Sequence, residues 1–236
     1  MEPLVGKGGF EPPTSRSRTV HSNLTELLPE GAQYTDECWV PLWSVNWLTV
    51  PIYLVRHGAT AWTDARRHTG KSDIPLTEVG EEQARDVGHR LAGIEFARVV
   101  CSPRLRALRT AELAGLGARV QVDPRLSEYD YGEYEGLTSE QIQALNPGWE
   151  LWADGCPNGE TPGAVLARAR ELLGSLGQVD HRNVVLFGHG HILRALAAAY
   201  LEVPVGFCRH LILRVASISL LGQEHGQPAI DRWDLT

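Results

Sequence analysis

Two apolar segments of the chain each lead into a histidine followed by a glycine. The first, Tyr53-Leu54-Val55, leads into Arg56-His57-Gly58, and the second, Val184-Val185-Leu186-Phe187, leads into Gly188-His189-Gly190. Short apolar runs that are rich in β-branched residues and bounded by glycine predict buried strands. In open α/β sheets, ligands bind just beyond the carboxyl ends of the strands. The pattern therefore places His57 and His189 where a ligand site would lie.

Helices are predicted where a capping residue precedes an apolar-periodic segment. The predicted N-caps are Thr77, Ser102, Thr138 and Thr161. Ser102 is followed by proline at the first helical position, and its helix should run to about residue 113. Thr138 and Gln141 form a capping box. The helix after Thr161 has an apolar side, and a further helix is predicted over residues 192–201.

Strands should alternate with these helices. We predict strands over residues 98–101 and 184–187, and short strands over 211–213, 217–221 and 229–233 near the C-terminus, around Gly222 and Gly226. Alternating strands and helices imply a mainly parallel sheet covered on both faces. The expected fold is a three-layer α/β domain over residues 51–236.

Residues 1–50 differ from the rest of the chain. They contain Pro12-Pro13, Pro29 and Pro41 in a context of Ser, Thr and Arg, without sustained periodicity, and the stretch over residues 9–18 resembles spurious upstream translation. We expect a disordered or artefactual extension. The alternative is a partner-binding helix face formed by Trp39, Trp43 and Trp47, which Pro41 interrupts.

The composition is that of an ordinary globular protein with an acidic balance. The 236 residues are 43% hydrophobic and 22% charged, with a formal net charge of −7. That charge argues against nucleic-acid and anionic-membrane partners, and no apolar run is long enough to span a bilayer. The four cysteines are scattered, which predicts reduced thiols in a cytoplasmic protein. The sequence leaves homo-oligomer formation open.

The residues near the two histidines suit phosphoryl transfer. Arg56 and Arg106 can supply fixed cations for a phosphate dianion, and the backbone N–H groups of the helix after His189 can add donors. A neutral His57 can attack phosphorus, while a charged His189 stabilises the developing negative charge. Glu128 can protonate the leaving alkoxide. The carboxylates that compete with Glu128 for this role are Asp130, Glu133 and Glu135.

Four segments carry a family resemblance. They are Arg56-His57-Gly58, Ser102-Pro103-Arg104-Leu105-Arg106-Ala107, Leu126-Ser127-Glu128 with Gly132-Glu133-Tyr134-Glu135-Gly136, and Gly188-His189-Gly190. In this order, they resemble the motifs of the histidine phosphatase superfamily, also called the phosphoglycerate mutase-like family. The resemblance implies a phosphorylated nucleophile at His57, phosphoryl binding by Arg56, Arg106 and His189, acid/base action by Glu128, and no cofactor or metal.

Further segments resemble one branch of that family. Residues 68–73, 149–156, 158–161 and 188–194 are similar to sedoheptulose-bisphosphatase-like sugar phosphatases and to actinobacterial acid phosphatases. By this resemblance, the residues on the substrate side are Thr69, Gly70, Tyr131, Gly190 and Arg194. Mutases of the family usually have a longer segment before the second histidine and an asparagine at the position of His191. This difference favours hydrolysis over mutase activity.

The resulting hypothesis is a metal-independent phosphomonoesterase that acts through a phosphohistidine. Its partner would be a small phosphorylated substrate, with sugar phosphates as the favoured class. The main alternative is a cofactor-dependent phosphoglycerate mutase. A metal site formed by His57, His189 and Glu128 is a remote alternative, because Arg56 and Arg106 would repel the cation. A non-catalytic phosphate-binding domain is the other remote alternative.

Overall fold

The computed structural model describes residues 51–177 and 183–236, which contain a six-stranded sheet in the order β3-β2-β4-β1-β5-β6. The strands are β1 Ile52–Arg56, β2 Phe96–Cys101, β3 Val120–Val122, β4 Asn183–Gly188, β5 Ile218–Glu224 and β6 Gln227–Leu235. The first four pair in parallel, while β5 and β6 form an antiparallel edge. The predictions for residues 1–50, including the tryptophan face, lie outside the described residues.

Helices cover both faces of the sheet. They are α1 Ala61–Asp64, α2 Glu78–Arg90, α3 Leu105–Leu113, α4 Ser139–Leu145, α5 Leu151–Asp154, α6 Pro162–Leu176 and α7 Gly190–Tyr200. Alternate residues of the central strands point to opposite faces. Leu54 and Leu186 belong to the apolar cluster that contains α6 and α7, whereas Val55 and Phe187 belong to the cluster that contains α2 and α3. The predicted α/β class with a mainly parallel, two-sided sheet is confirmed.

The parallel register brings the ends of three strands to one edge of the sheet. Arg56 of β1 lies opposite Gly188 of β4, and the His57 N–H donates to the Gly188 carbonyl at 3.1 Å. At the end of β2, the Ser102 N–H donates to the Phe187 carbonyl at 3.0 Å. The residues after β1, β2 and β4 therefore lie next to one another.

Three of the predicted helix starts are confirmed. The side chains of Thr77, Thr138 and Thr161 each accept a hydrogen bond from the first turn of their helix, and Gln141 completes the capping box. The fourth is wrong, because α3 begins only at Leu105, with Arg104 at its N-cap. The Ser102 hydroxyl instead accepts from the N–H of Arg104, the N-cap residue itself, at 3.3 Å and also lies 2.7 Å from the His189 ring.

The C-terminal predictions need two corrections. Residues 211–213 form no strand, because side chains occupy their carbonyls: Arg194 donates to Leu211 and Arg56 donates to Leu213. In addition, Gly222 does not end a strand. Strand β5 continues to Glu224, and the hairpin turns at residues 225–226, both of which have positive φ.

A helix that crosses a bilayer needs about 20 mostly apolar residues. Within residues 51–177 and 183–236, none has both the length and the apolar composition that a transmembrane span needs.

Candidate active site

His57, immediately after β1, is buried with a defined tautomer. Its Nδ1 lies 2.7 Å from the carbonyl oxygen of Gly58. A carbonyl only accepts, so the proton is on Nδ1 and the lone pair of Nε2 is left free. Burial, followed by the positive charges of Arg106 and Arg56, lowers the pKa of His57 well below its usual value. The imidazole is therefore neutral and nucleophilic near neutral pH.

The loop that carries His57 is fixed by close backbone packing. A Cβ on Gly58 would lie 2.3 Å from the carbonyl oxygen of Gly80 in α2, and a Cβ on Gly80 would lie 2.1 Å from that of Ala59. Only glycine allows this approach. The Gly58 N–H also donates to the hydroxyl of Thr110 at 3.1 Å. Helices α2 and α3 thus hold the nucleophile loop in place.

Arg56 has one donor that is bound by the protein and one without a partner in the part of the chain that the structure describes. Its Nη1 donates to the Leu213 carbonyl, while its buried Nε has no hydrogen-bond partner within the described residues. A Cβ on Gly190 would lie 3.3 Å from the Arg56 Cζ, so the glycine lets the guanidinium lie close to the start of α7. A buried guanidinium with a free N–H can bind a phosphate oxygen.

His189 has both ring nitrogens engaged. Arg106 Nε donates to its Nδ1 at 3.1 Å, and its Nε2 lies 2.7 Å from the hydroxyl of Ser102. Because a guanidinium cannot accept, Nδ1 is unprotonated and Nε2 carries the hydrogen. Burial, followed by the charges of Arg106 and His57, lowers the pKa of His189 well below its usual value. The ring is therefore neutral in this arrangement, and a charged His189 during the reaction stays a prediction.

Arg106 organises the loop over residues 69–72. Besides its bond to His189, it donates to the carbonyls of Ser72 at 2.8 Å, Thr69 at 2.8 Å and Gly70 at 3.2 Å. The whole side chain is buried. Arg106 therefore lies behind the site as a fixed positive charge with its donors largely committed, rather than as an open phosphate clamp.

Glu128 accepts hydrogen bonds from backbone amides. Its Oε1 lies 2.9 Å from Tyr129 N, 3.1 Å from His191 N and 2.9 Å from Ile192 N, and its Oε2 lies 3.0 Å from His191 N. Burial opposes ionisation, but the contacts with His191 outweigh it and hold the pKa of Glu128 well below its usual range. Two of the helix amides predicted to bind a substrate anion therefore bind this carboxylate instead.

The competing carboxylates have other partners. Glu135 accepts from the backbone of Gly70 and Ser72 at 2.9–3.0 Å. Asp130 forms an ion pair of 2.7 Å with Lys71, and exposed Glu133 accepts from the Asn158 side chain. Through these contacts, the three carboxylates hold neighbouring loop residues in place.

Glu128 and His57 share a cavity of about 310 Å³. The sequence-predicted residues that line it are Arg56, His57, Thr69, Glu128, Tyr131, Gly190 and Arg194. Gly70, Arg106 and His189 are absent from this lining. The lining residues that sequence reasoning missed are Thr63, Arg66, Arg67, His68, Ser139 and His191. Half of them, Arg66, Arg67 and His68, follow helix α1 in a turn, where periodicity does not indicate the direction of a side chain.

His191 connects Glu128 to the opposite side of the cavity. Its Nδ1 lies 2.5 Å from the Tyr131 hydroxyl and 3.6 Å from Glu128 Oε2. Burial, followed by the positive charge of Arg194, lowers the pKa of His191 to about 3. Arg194 donates to the Gly190 carbonyl and lies over the Trp152 ring. A neutral His191 thus adds a polar, uncharged group to the cavity.

The fold and this group of side chains define a class of protein: enzymes that transfer a phosphoryl group at the carboxyl ends of parallel strands. The chain belongs to the histidine phosphatase superfamily, because the family model "Histidine phosphatase superfamily (branch 1)" matches residues 52–236. The protein is a phosphatase, as are several of its relatives.

Three relatives illustrate the range of the family. An acid phosphatase of Mycobacterium tuberculosis is 40% identical over 74% of this chain and 87% of that protein. A probable phosphoglycerate mutase of Erwinia tasmaniensis is 34% identical over 77% and 89%, and sedoheptulose 1,7-bisphosphatase of Saccharomyces cerevisiae is 31% identical over 67% and 70%. The solved structure of a mycobacterial glucosyl-3-phosphoglycerate phosphatase matches with a TM-score of 0.72 and 33% identity, covering 80% of this chain and all of that one.

Proposed function

We propose that the protein hydrolyses phosphomonoesters of small metabolites, with sugar phosphates as the main class, through a phosphohistidine at His57 and without a metal ion. The observation that carries this proposal is the state of His57. Its Nδ1–H is held by the Gly58 carbonyl, its ring is neutral, and it lines the same cavity as Arg56, whose Nε has no hydrogen-bond partner among the described residues. A neutral imidazole next to a fixed cation is prepared to attack a phosphate ester.

The reaction consists of two displacements. In the first, His57 Nε2 bonds to phosphorus, the ester P–O bond breaks, and the leaving oxygen takes a proton through Glu128. In the second, water attacks the phosphohistidine and the P–N bond breaks, the proton of the water passes through the Glu128 carboxylate to the departing phosphate, and inorganic phosphate leaves with His57 and Glu128 both restored. Because Glu128 is ionised at rest, the proton for the first step arrives with the substrate monoanion. Arg56 binds the phosphoryl oxygens, while Arg106 positions His189.

The cavity lining supports a polyhydroxylated substrate. Besides charged groups, it presents the hydroxyls of Thr63, Ser139 and Tyr131, which can exchange hydrogen bonds with sugar hydroxyls. Two relatives are named for phosphorylated sugar substrates, one a heptulose bisphosphate and the other a glucosyl phosphoglycerate. These names support the same class for this chain.

A metal site at the two histidines is disfavoured by their contacts. His189 has no nitrogen free for a metal, because Arg106 occupies Nδ1 and Nε2 carries a hydrogen. The charges of Arg56 and Arg106 close to His57 add electrostatic repulsion. We therefore propose chemistry that depends on His57 rather than on a cation.

The test is release of inorganic phosphate from a panel of sugar phosphates, with p-nitrophenyl phosphate as a reference. We expect turnover that survives chelation and that falls by several orders of magnitude in His57→Ala. His89→Ala, which removes an exposed histidine of α2, is the matched control and should retain full activity. Retained activity in His57→Ala, or loss of wild-type activity on chelation, would contradict the proposal.

A further inference from the structure

The cavity has an excess of positive charge in an otherwise acidic chain. It is lined by Arg56, Arg66, Arg67 and Arg194, against the single carboxylate of Glu128 among the described residues, while the whole chain has a formal net charge of −7. One phosphoryl group needs only part of this charge. The remainder is available for a second anionic group.

The four arginines fall into two sets by their contacts. Arg56 and Arg194 are tied to backbone carbonyls of the protein. Arg66 and Arg67 are exposed, and within the described residues neither forms an ion pair with a carboxylate. Arg67 lies 5.9 Å from the centre of the Trp62 ring, a contact that leaves its N–H donors available. The outer pair is therefore free to bind an anion from solution.

The backbone at Arg66 is strained in a way that fixes its position. Helix α1 ends in a Schellman motif, in which Arg66 N donates to Thr63 O at 3.1 Å and Arg67 N donates to Trp62 O at 2.8 Å. Arg66 occupies the left-handed position of this motif with φ of 54°. Glycine fits this position better than any other residue. A strained residue whose side chain lines a cavity supports a functional role.

Glu140 is the nearby carboxylate that could neutralise Arg66. Hydrogen bonds at the start of α4 are the main cause of its lowered pKa, and the charge of Arg66 adds a smaller contribution. The two side chains nevertheless form no ion pair. Arg66 therefore keeps an unshared positive charge at the rim of the cavity.

We propose that Arg66 and Arg67 form a second anion subsite that selects phosphomonoesters with another anionic group, either a carboxylate or a second phosphate. The inference rests on the proposed function, since it assumes that the reacting phosphoryl group lies at His57 and Arg56. The two sites line one cavity of about 310 Å³, so a single small metabolite can reach both. Esters whose distal end carries no charge (neutral-tailed esters) would lack the ionic contact with Arg66 and Arg67.

The experiment compares kcat/KM for two esters that differ only in the distal group. These are 3-phosphoglycerate, with a carboxylate, and glycerol 3-phosphate, with a hydroxymethyl group. A second pair, fructose 1,6-bisphosphate and fructose 6-phosphate, distinguishes a distal phosphate from a carboxylate. Phosphate release is measured for wild type, Arg66→Gly, Arg66→Lys, Arg67→Gln and the control Arg170→Gln, which removes an exposed charge outside the cavity.

Arg66→Gly removes the charge at a position where glycine relieves strain, so loss of folding cannot explain its effect; a melting curve checks this. We expect wild type to prefer the ester with the distal anionic group by about ten-fold in at least one pair, and Arg66→Gly and Arg67→Gln each to remove most of that preference through KM. Arg66→Lys should keep part of it, and Arg170→Gln all of it. The neutral-tailed esters should change by no more than about two-fold.

Equal selectivity in wild type, Arg66→Gly and Arg67→Gln, or no wild-type preference in either pair, would overturn the subsite. Failure of the proposed function would give a different result from failure of the subsite. Wild type would then release no phosphate from any of these esters.

Discussion

Replacing Glu128 with glutamine tests how the site handles its proton. Glutamine keeps the shape of the side chain and one carbonyl oxygen, but it can neither ionise nor donate an acidic proton. The three backbone amides at Oε1 can keep their acceptor, so the fold of the loop should be preserved. The substitution thereby separates proton transfer from loop structure.

The expected magnitudes differ for stability and for catalysis. Losing the charge of an acceptor for backbone N–H groups should cost about 1–3 kcal/mol, which lowers the melting temperature by roughly 2–12 °C for a domain of this size. Removing a general acid should lower kcat/KM by about 10²- to 10⁴-fold for a sugar alkoxide, which needs a proton to leave. For p-nitrophenolate, a good leaving group, the loss should be far smaller.

The assay is kcat/KM across a series of phosphomonoesters with leaving groups of graded pKa. We expect Glu128→Gln to show a steeper dependence on leaving-group pKa than wild type. Glu133→Gln, in the same loop with an exposed side chain, is the control and should follow wild type. An equal loss for sugar alkoxides and p-nitrophenolate in Glu128→Gln would refute the acid role and direct attention to Asp130.

Four further predictions follow from the same site. The lowered pKa values of His57 and Glu128 leave both groups without a proton to donate, so the proton for the leaving oxygen comes from the substrate monoanion. For sugar phosphates, kcat/KM should therefore fall as the pH rises above about 6, where the substrate loses that proton; a rise would contradict this. Arg106→Met leaves buried acceptors unpaired, so its free energy of unfolding should fall by at least about 3 kcal/mol, measured by denaturant titration, whereas Arg170→Met should match wild type. A shortened chain starting at Leu48 should melt and turn over like the full chain, because the sequence before Leu48 lacks the sustained periodicity of a packed element and the strand that carries His57 begins only at Ile52; a drop of many degrees would contradict this. Incubation with 3-phosphoglycerate and catalytic 2,3-bisphosphoglycerate should yield free phosphate by phosphorus NMR, and rapid 2-phosphoglycerate formation without it would indicate a mutase.

The sequence was most informative where a residue type has one dominant local role. The threonine caps at Thr77, Thr138 and Thr161 could be predicted because an N-cap is a contact within four residues. The strands before His57 and His189 could be predicted because buried parallel strands have uninterrupted apolar runs. Their common edge followed from the alternation of strands and helices.

The tertiary contacts of polar groups could not be predicted in the same way. Ser102 has the local signature of a helix cap, but its hydroxyl contacts His189, 87 residues away along the chain. Likewise, the amides at the start of α7 are in place to bind an anion, but they bind Glu128. In both cases the partner of the polar group is a residue distant in sequence, and local sequence patterns do not specify which residue that is.

The cavity rim was missed for a related reason. Arg66 and Arg67 lie in a helix-ending turn, where no period relates one side chain to the next, and Arg66 occupies a position that sequence rules assign to glycine. Their place on the cavity that contains His57 is set by the tertiary fold.

The central claim is that the phosphoryl group passes through a covalent intermediate on His57, and the stereochemical course at phosphorus tests it most directly. A sugar phosphate made chiral with three oxygen isotopes is hydrolysed in the presence of an acceptor alcohol, and the configuration of the transferred group is read by phosphorus NMR. Two successive displacements each invert the phosphorus, so the account predicts overall retention. Overall inversion would show that water or alcohol attacks the substrate directly, and it would contradict the phosphohistidine mechanism.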